Sequence, residues 1–313
     1  MMTITSLPPR PLLCVSIDCE RDKGPGWRIQ RPARYVGVHD GLARKLHPLF
    51  RRFGVKPTYL LSAEVIRDPA SAERLARLPG SFELGTHLHA EYVAPGADDH
   101  AESTLFQAAL PPEVERAKLG ALTALYVDRF AAPPRSFRAG RFGIGAASLG
   151  ILADLGYTVD SSVTPLLDWR GAGPGAPSFC DAPLVPYRPD PVHPARRGDS
   201  PLWEVPVTIR RGPGQRLPLV GRRLPHRWLR PTWGTGSDLV ALAREILTSP
   251  GSRPVVLNVM FHNVEIVAGA SPYARDAAQA DAILGRLATL LAFARDAGVR
   301  SVGLADLPEI LSS

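Results

Sequence analysis

Short apolar runs alternate with longer stretches of helical periodicity along nearly the whole chain. Residues 12–17 read as a buried strand. Over 39–53, Leu42, Leu46, Leu49 and Phe50 recur at helical spacing and stop at Gly54. The pattern then predicts a strand at 58–61, a helix at 63–78 and a third strand at 81–85. Pro111 and Pro112 open a helix running to about Phe130, because proline is tolerated in a first turn. A strand at 136–138, a helix at 146–155 and a strand at 158–160 follow. The rhythm resumes with a strand at 202–209, a helix at 237–248, a strand at 255–261, a helix at 275–297 and a strand at 299–302.

Continuous apolar strands that alternate with helices imply an α/β fold whose parallel sheet is covered on both faces. About seven such units suggest a barrel rather than an open sheet, and barrel sites gather at the carboxyl ends of the strands. One segment breaks the rhythm. Residues 165–231 hold 14 of the 32 prolines, with a glycine-rich run and a group of arginines. This reads as an insertion wrapped on a single domain spanning 1–313, since long structureless loops in compact domains are usually functional or disordered.

Composition narrows the picture little. With 45% apolar and 21% charged residues, the 313-residue chain is ordinary for a core-forming protein. A net charge of +7 favours anionic partners without naming one. Cys14, Cys19 and Cys180 form neither a CxxC pair nor an even framework, which excludes a sequence signature for structural zinc or disulfides. The first residues lack the pattern of a signal peptide, and no run approaches the ~18 consecutive apolar residues of a membrane span, so the expectation is a soluble, cytoplasmic protein. No nucleic-acid-binding motif is present.

Candidate chemistry falls at four strand ends. Asp18 and Glu20 follow the first strand two residues apart, which points them to one side. His87, His89 and Glu91 lie just past the third strand and offer the nitrogen and oxygen donors that zinc and similar ions prefer. Arg138 and Arg141 are cations suited to orienting carboxylates. The apolar run ending at Phe261 leads into His262 and Asn263. Each motif alone has a bland alternative: solvated acids, a chance HxH, surface arginines, a core histidine.

Their order and placement together resemble the polysaccharide deacetylases, the NodB-homology or carbohydrate-esterase-4-like enzymes, over about residues 12–310. The run Phe261-His262-Asn263-Val264-Glu265, followed by Gly269-Ala270-Ser271-Pro272-Tyr273, is similar to a divergent bacterial branch of that family. The resemblance implies a distorted (β/α)7 barrel, with the proline- and arginine-rich insertion unmatched. It implies Asp18 as catalytic base, Glu20, His87 and His89 on a divalent metal (zinc first), His262 as general acid, Arg138 or Arg141 holding Asp18, and Asp160 orienting His262. Arg141 and Glu265 are expected at the substrate. Two departures stand out. Most members carry adjacent aspartates where this chain has Asp18-Cys19-Glu20, and the usual HxxxH motif would place its second ligand at Glu91, which stays open as an alternative to His89.

The function so implied is removal of an N-acetyl group from an acetylated sugar or sugar-containing intermediate. A second reading is a catalytically inactive relative that binds sugar or metal. A thiol hydrolase built on Cys19 is disfavoured, because two flanking acids raise a cysteine pKa. Arg196, Arg197, Arg210, Arg211, Arg216, Arg222, Arg223, Arg227 and Arg230, with Trp228, Trp233, Leu217 and Leu219, suggest contact with an anionic carrier or membrane surface. The alternative there is a solvated basic loop.

Overall fold

The computed structural model describes residues 10–215, 225–249 and 254–313. Strand β1 (Leu12–Cys19) is buried along its whole length and organises the sheet. One edge pairs in parallel with β9 (Val256–His262) from Leu12 to Asp18. The other edge meets the short β10 (Arg300–Ser301) at its start and β2 (Thr58–Leu61) at its end. From β2 the parallel order continues through β3 (Glu83–Leu88), β4 (Ser136–Ala139), β5 (Val159–Asp160) and β6 (Trp203–Glu204).

Between β6 and β9 the wall is closed without a ladder. Thr208 N donates to the Asn258 carbonyl at 3.1 Å, Asn258 N donates to Thr208 Oγ1 at 2.8 Å, and Asn258 Nδ2 reaches the Val205 carbonyl at 3.1 Å. The result is the distorted (β/α)7 barrel expected from the strand–helix rhythm.

Alternation along β1 separates two environments. Leu13, Val15, Ile17 and Cys19 join the main core under the helices, whereas Leu12 and Cys14 join a smaller cluster with Leu60, Val205, Leu304 and Leu307. On that second face the side chains turn from apolar to polar along the strand: Leu12, Cys14, Ser16, Asp18, then Glu20 just beyond it. The barrel is therefore greasy at the amino ends of its strands and charged at the carboxyl ends.

Helices cover the outside. A π-helical stretch (Gly37–Leu46) runs into α1 (His47–Phe53). The helix expected over 63–78 is two helices, α2 (Ala63–Arg67) and α3 (Pro69–Ala76). Pro69 forces Asp68 into an extended conformation, and the Asp68 carboxylate then caps α3 by accepting from Ser71 N at 2.8 Å. α4 (Pro112–Phe130), α5 (Ala146–Asp154), α6 (Gly236–Leu247), α7 (Ala277–Asp296) and α8 (Leu307–Ser312) complete the layer. By length and composition alone α7 would suffice to cross a bilayer. Its Ile283, Leu287, Leu290 and Leu291 are buried in the main core.

The segment 165–231 is not only a loop wrapped on the barrel. It contributes β6 to the barrel wall and an antiparallel pair, β7 (Ile209–Arg210) with β8 (Arg227–Trp228). The strand expected over 202–209 is interrupted where Pro206, lacking a backbone donor, cannot continue a central ladder. Arg216, Arg222, Arg223, Leu217 and Leu219 lie outside the described residues.

Candidate active site

Asp18 closes β1 on the interior face, and Arg138 reaches it from β4 across the barrel. The Arg138 guanidinium is fully buried and donates to Asp18 Oδ1 at 2.6 Å, Ser16 Oγ at 2.7 Å, and the Ser161 hydroxyl and carbonyl at 2.8 and 2.7 Å. Burial by itself would raise the Asp18 pKa. The charges of Arg138, His87 and His262 outweigh it and bring the carboxyl below its ordinary value. One oxygen is thus held, while Oδ2 faces His87 Nε2 at 3.9 Å and His262 Nε2 at 3.8 Å.

Glu20, two residues on, is fixed through its backbone. Its N–H donates to Asn263 Oδ1 at 2.9 Å, and Asn263 Nδ2 donates to its carbonyl at 3.0 Å, which ties the end of β1 to the turn after β9. Its side chain meets two ring nitrogens: His87 Nε2 lies 3.2 Å and His89 Nε2 3.0 Å from Glu20 Oε1. The donor atoms of the three residues all lie within 4.8 Å of one another. Glu20 thereby falls well below the usual carboxylate range; burial opposes this, and Lys23, His89 and the two imidazole hydrogen bonds overcome it.

This trio fits a divalent metal on its own chemistry. His87 Nδ1 lies 3.0 Å from the Arg138 carbonyl, which can only accept. Nδ1 therefore carries a hydrogen, which leaves Nε2 as the atom turned toward Glu20. A histidine bonded through its second nitrogen to a carbonyl is the usual metal-ligand arrangement, and two ring nitrogens and a carboxylate oxygen clustered this closely form a donor set that suits a divalent ion. His89 sits between two carboxylates: burial would lower its pKa, yet Glu20 and Glu91 push it up to about 9. Glu91 stands on the other side of that ring, 3.6 Å from Nδ1, and pairs with Arg141 Nη2 at 2.6 Å. The second nitrogen of the cluster is His89, and Glu91 supports it from behind.

His262 ends β9 with Nε2 toward Asp18. Its orienting partner differs from the expectation. Asp160 bonds Ser162 Oγ at 2.6 Å and sits beside Glu204 on the neighbouring strand, away from His262. Glu265 takes the role instead. It lies three residues beyond His262 in a 3-10 turn (Asn263–Ile266), and that spacing stacks the two side chains on one face. His262 Nδ1 is 2.7 Å from Glu265 Oε1, which also accepts from the His262 backbone N–H at 3.2 Å. Glu265 is fully buried, with Arg230 and Thr232 donating to its two oxygens, so it is not the substrate contact expected. The run of acids and histidines held the signal; turn geometry decided which acid meets which ring.

Arg230 was grouped with surface arginines, yet it is buried and spent on Glu265. Arg227 pairs with Glu245 at 2.7 Å, and Arg210 donates to the Ile209 carbonyl at 2.9 Å. Arg196, Arg197 and Arg211 remain on the surface.

A cleft of 730 Å³ opens over these groups. Asp18, Glu20, His87, His89 and His262 form its floor, and Arg141 lies on its wall. Four of the five tryptophans line it, namely Trp27, Trp169, Trp228 and Trp233, a concentration the sequence did not announce. Trp27 stands edge-on to His262 with ring centres 4.8 Å apart, from a left-handed backbone position (φ 59°). Arg141 and Phe142 are also left-handed, at φ 56° and 58°, a strained pair of the kind that clusters at functional sites. Cys19 is buried and faces the Ile17 carbonyl; burial and the charges of Asp18 and Glu20 push its thiol pKa well up, which removes it as a nucleophile.

No family model matches the chain, and no curated protein matches it by sequence. Solved structures do match. A Mycobacterium smegmatis protein described as a polysaccharide deacetylase is 16% identical with a TM-score of 0.53, over 98% of this chain and 93% of that one. A Parabacteroides distasonis protein described as a glycoside hydrolase/deacetylase is 13% identical with a TM-score of 0.63, over 97% of this chain and 71% of that one. A GH57-type branching enzyme from Pyrococcus horikoshii is 10% identical with a TM-score of 0.56, over 96% of this chain and 70% of that one. The chain has the polysaccharide-deacetylase fold. Because that architecture also carries a branching enzyme, chemistry must be argued from the site.

Proposed function

We propose that this protein is a deacetylase that hydrolyses the acetamide of an N-acetylated sugar or sugar-containing intermediate. The observation that carries the reading is the convergence, on one cleft floor, of a metal-ligand trio and two differently held proton-transfer groups. Asp18 is kept ionised by a buried arginine, and His262 is kept in one orientation by a buried carboxylate.

Amide hydrolysis needs an activated water, a polarised carbonyl and a proton for the departing nitrogen. A divalent ion held by Glu20, His87 and His89 would supply Lewis acidity for the first two. Asp18 Oδ2 is the free oxygen of its carboxylate and takes the proton of the attacking water. Arg138 keeps that oxygen aimed by holding the other. His262 Nε2 faces the cleft and gives a proton to the amine, while Glu265 retains the proton on Nδ1, so the ring acts through a single nitrogen. The four tryptophans lining the cleft offer flat apolar faces for sugar rings. This geometry suits a saccharide that presents its acetamide downward.

The test is acetate release from a panel of N-acetylated mono- and oligosaccharides. Wild-type turnover that disappears in Asp18→Asn and His262→Ala, with folding retained, supports the reading. A metal-loaded wild type that binds these sugars and releases no acetate from any of them sinks it in favour of a sugar-binding protein.

A further inference from the structure

The run Gly269-Ala270-Ser271-Pro272-Tyr273, a few residues beyond His262, has no task in the proposed mechanism. It folds as a closed turn. Gly269, left-handed at φ 73°, donates its N–H to the Ala274 carbonyl at 2.7 Å, and Tyr273 N donates to Ser271 Oγ at 3.3 Å. The turn also anchors the loop that carries Trp27. Its Ala270 carbonyl accepts from Lys23 N at 2.9 Å and from Gly24 N at 3.0 Å. None of these bonds uses the Tyr273 side chain.

That side chain packs against two groups that reach His262 by different routes. The Tyr273 ring centre is 5.6 Å from that of Trp27, whose ring stands edge-on to His262 at 4.8 Å. The Arg230 guanidinium lies over the same Tyr273 ring, 5.3 Å from its centre. Arg230 holds Glu265, which in turn holds His262 Nδ1, and Arg230 Nη2 is itself 3.5 Å from that nitrogen. The contacts close a circuit: His262, Trp27, Tyr273, Arg230, Glu265 and back to His262. Arg230 and Glu265 are buried, whereas Tyr273 is 36% exposed and lines the cleft.

Trp27 needs such a neighbour. A non-glycine residue at φ 59° keeps that backbone only where its surroundings over-determine it. The residues before it, Gly24-Pro25-Gly26, include two left-handed glycines that add little restraint. Among the described residues, the ring contacts of Trp27 are with His262 and Tyr273. An aromatic ring suits both sides of Tyr273, since it packs tilted against another ring and attracts a cation.

We propose that Tyr273 is a positioning residue for the acid histidine, bracing Trp27 and Arg230 at once and so confining the His262 imidazole to one orientation. The inference rests on His262 being the proton donor of the proposed deacetylation. The ring carries the role, for the phenol oxygen has no hydrogen-bond partner among the described residues.

Two measurements on the full chain test this. The first is steady-state kinetics of the metal-loaded protein on the N-acetylated sugar it turns over best. Tyr273→Ala should lower kcat by about 10–100-fold, the order of loss when a reacting group is misplaced by about 1 Å. KM should stay within about twofold of wild type, whereas loss of a mere sugar contact would raise KM and spare kcat. Tyr273→Phe keeps the ring and should restore kcat. Melting temperature checks the fold, and Tyr273→Ala should stay near wild type because a residue this exposed leaves no core cavity.

The second is nitrogen NMR of protein labelled at its eight histidines, with His262 assigned by its loss in His262→Ala. The Nδ1 proton should give a sharp signal in wild type and Tyr273→Phe, and one broadened by exchange in Tyr273→Ala. This signal needs neither turnover nor substrate. A raised KM with kcat unchanged, a loss that Tyr273→Phe does not restore, or a His262 signal identical in wild type and Tyr273→Ala would each overturn the proposal. Any of these beside normal wild-type turnover removes only the role of Tyr273. Absence of acetate release by wild type removes the deacetylase reading and the acid role with it.

Discussion

Glu265 and His262 are joined twice: the carboxylate accepts from the imidazole Nδ1 at 2.7 Å and from the backbone N–H of the same residue at 3.2 Å. One acid thereby sets both the ring's orientation and the end of its strand. Burial would raise the Glu265 pKa, but Arg230, His262 and Thr232 bring it below the ordinary value, so it is a carboxylate acceptor throughout the working range. Glu265→Gln should keep the fold and lower kcat by about 10²- to 10⁴-fold, the span of a general acid–base contribution, with KM little changed. Steady-state kinetics on the best N-acetylated substrate checks this, and a loss confined to KM would contradict it.

Arg138 answers to stability before catalysis. Replacing it with methionine preserves length and leaves Asp18 charged, buried and unpaired. The expected cost is about 3–5 kcal/mol, as for removing one partner of a buried ion pair. Arg138→Lys should recover only part, because an ammonium cannot reproduce the fork that reaches Asp18, Ser16 and Ser161 together. Urea denaturation at neutral pH gives the comparison.

Asp160 and Glu204 occupy matched positions on β5 and β6, and Asp160 Oδ2 and Glu204 Oε2 both lack hydrogen-bond partners. Burial and then the Asp160 charge raise Glu204 well above its ordinary value, and burial raises Asp160. A raised folded pKa contributes stability that is full below the unfolded value near 4.5 and lost as pH climbs through the folded one. Glu204→Gln supplies a permanent donor, so it should flatten the decline in denaturation midpoint as pH rises above the unfolded value near 4.5. A variant whose midpoint tracks wild type at every pH would show that this pair does not set the slope.

Gly140 follows β4, where a Cβ would lie 2.6 Å from the Leu88 carbonyl and 3.0 Å from His89 Nδ1. Gly140→Ala must displace one of them. We expect a loss of about 1–3 kcal/mol in stability together with a fall of about 10–100-fold in metal affinity. Calorimetric metal titration alongside thermal melting tests whether the two losses travel together.

Much of this was legible beforehand, for identifiable reasons. Buried strands such as β1 and β9 advertise themselves as unbroken apolar runs, and their polar ends expose Asp18, Glu20 and His262. His87 and His89 stand out in the sequence as nitrogen donors past β3, but the choice between His89 and Glu91 stays open there, and it is the structure that puts His89 Nε2 3.0 Å from Glu20 Oε1. The partner of His262 was not legible, because Asp160 and Glu265 are equally acidic and only the turn Asn263–Ile266 ranks them. Arg230 was misplaced for a similar reason: nothing local distinguishes an arginine that closes an interior ion pair from eight others nearby.

The prolines and arginines of 165–231 looked like an ornament on a finished barrel. The segment instead supplies a stave of the wall through β6, the Thr208 contacts that close the barrel against Asn258, and the guanidinium that holds Glu265 behind His262. Such a piece cannot be exchanged as a cassette. Grafting another specificity loop here would open the vessel and loosen His262 in the same act, so variation in what this chain accepts has to come from the residues on the segment's surface, one at a time.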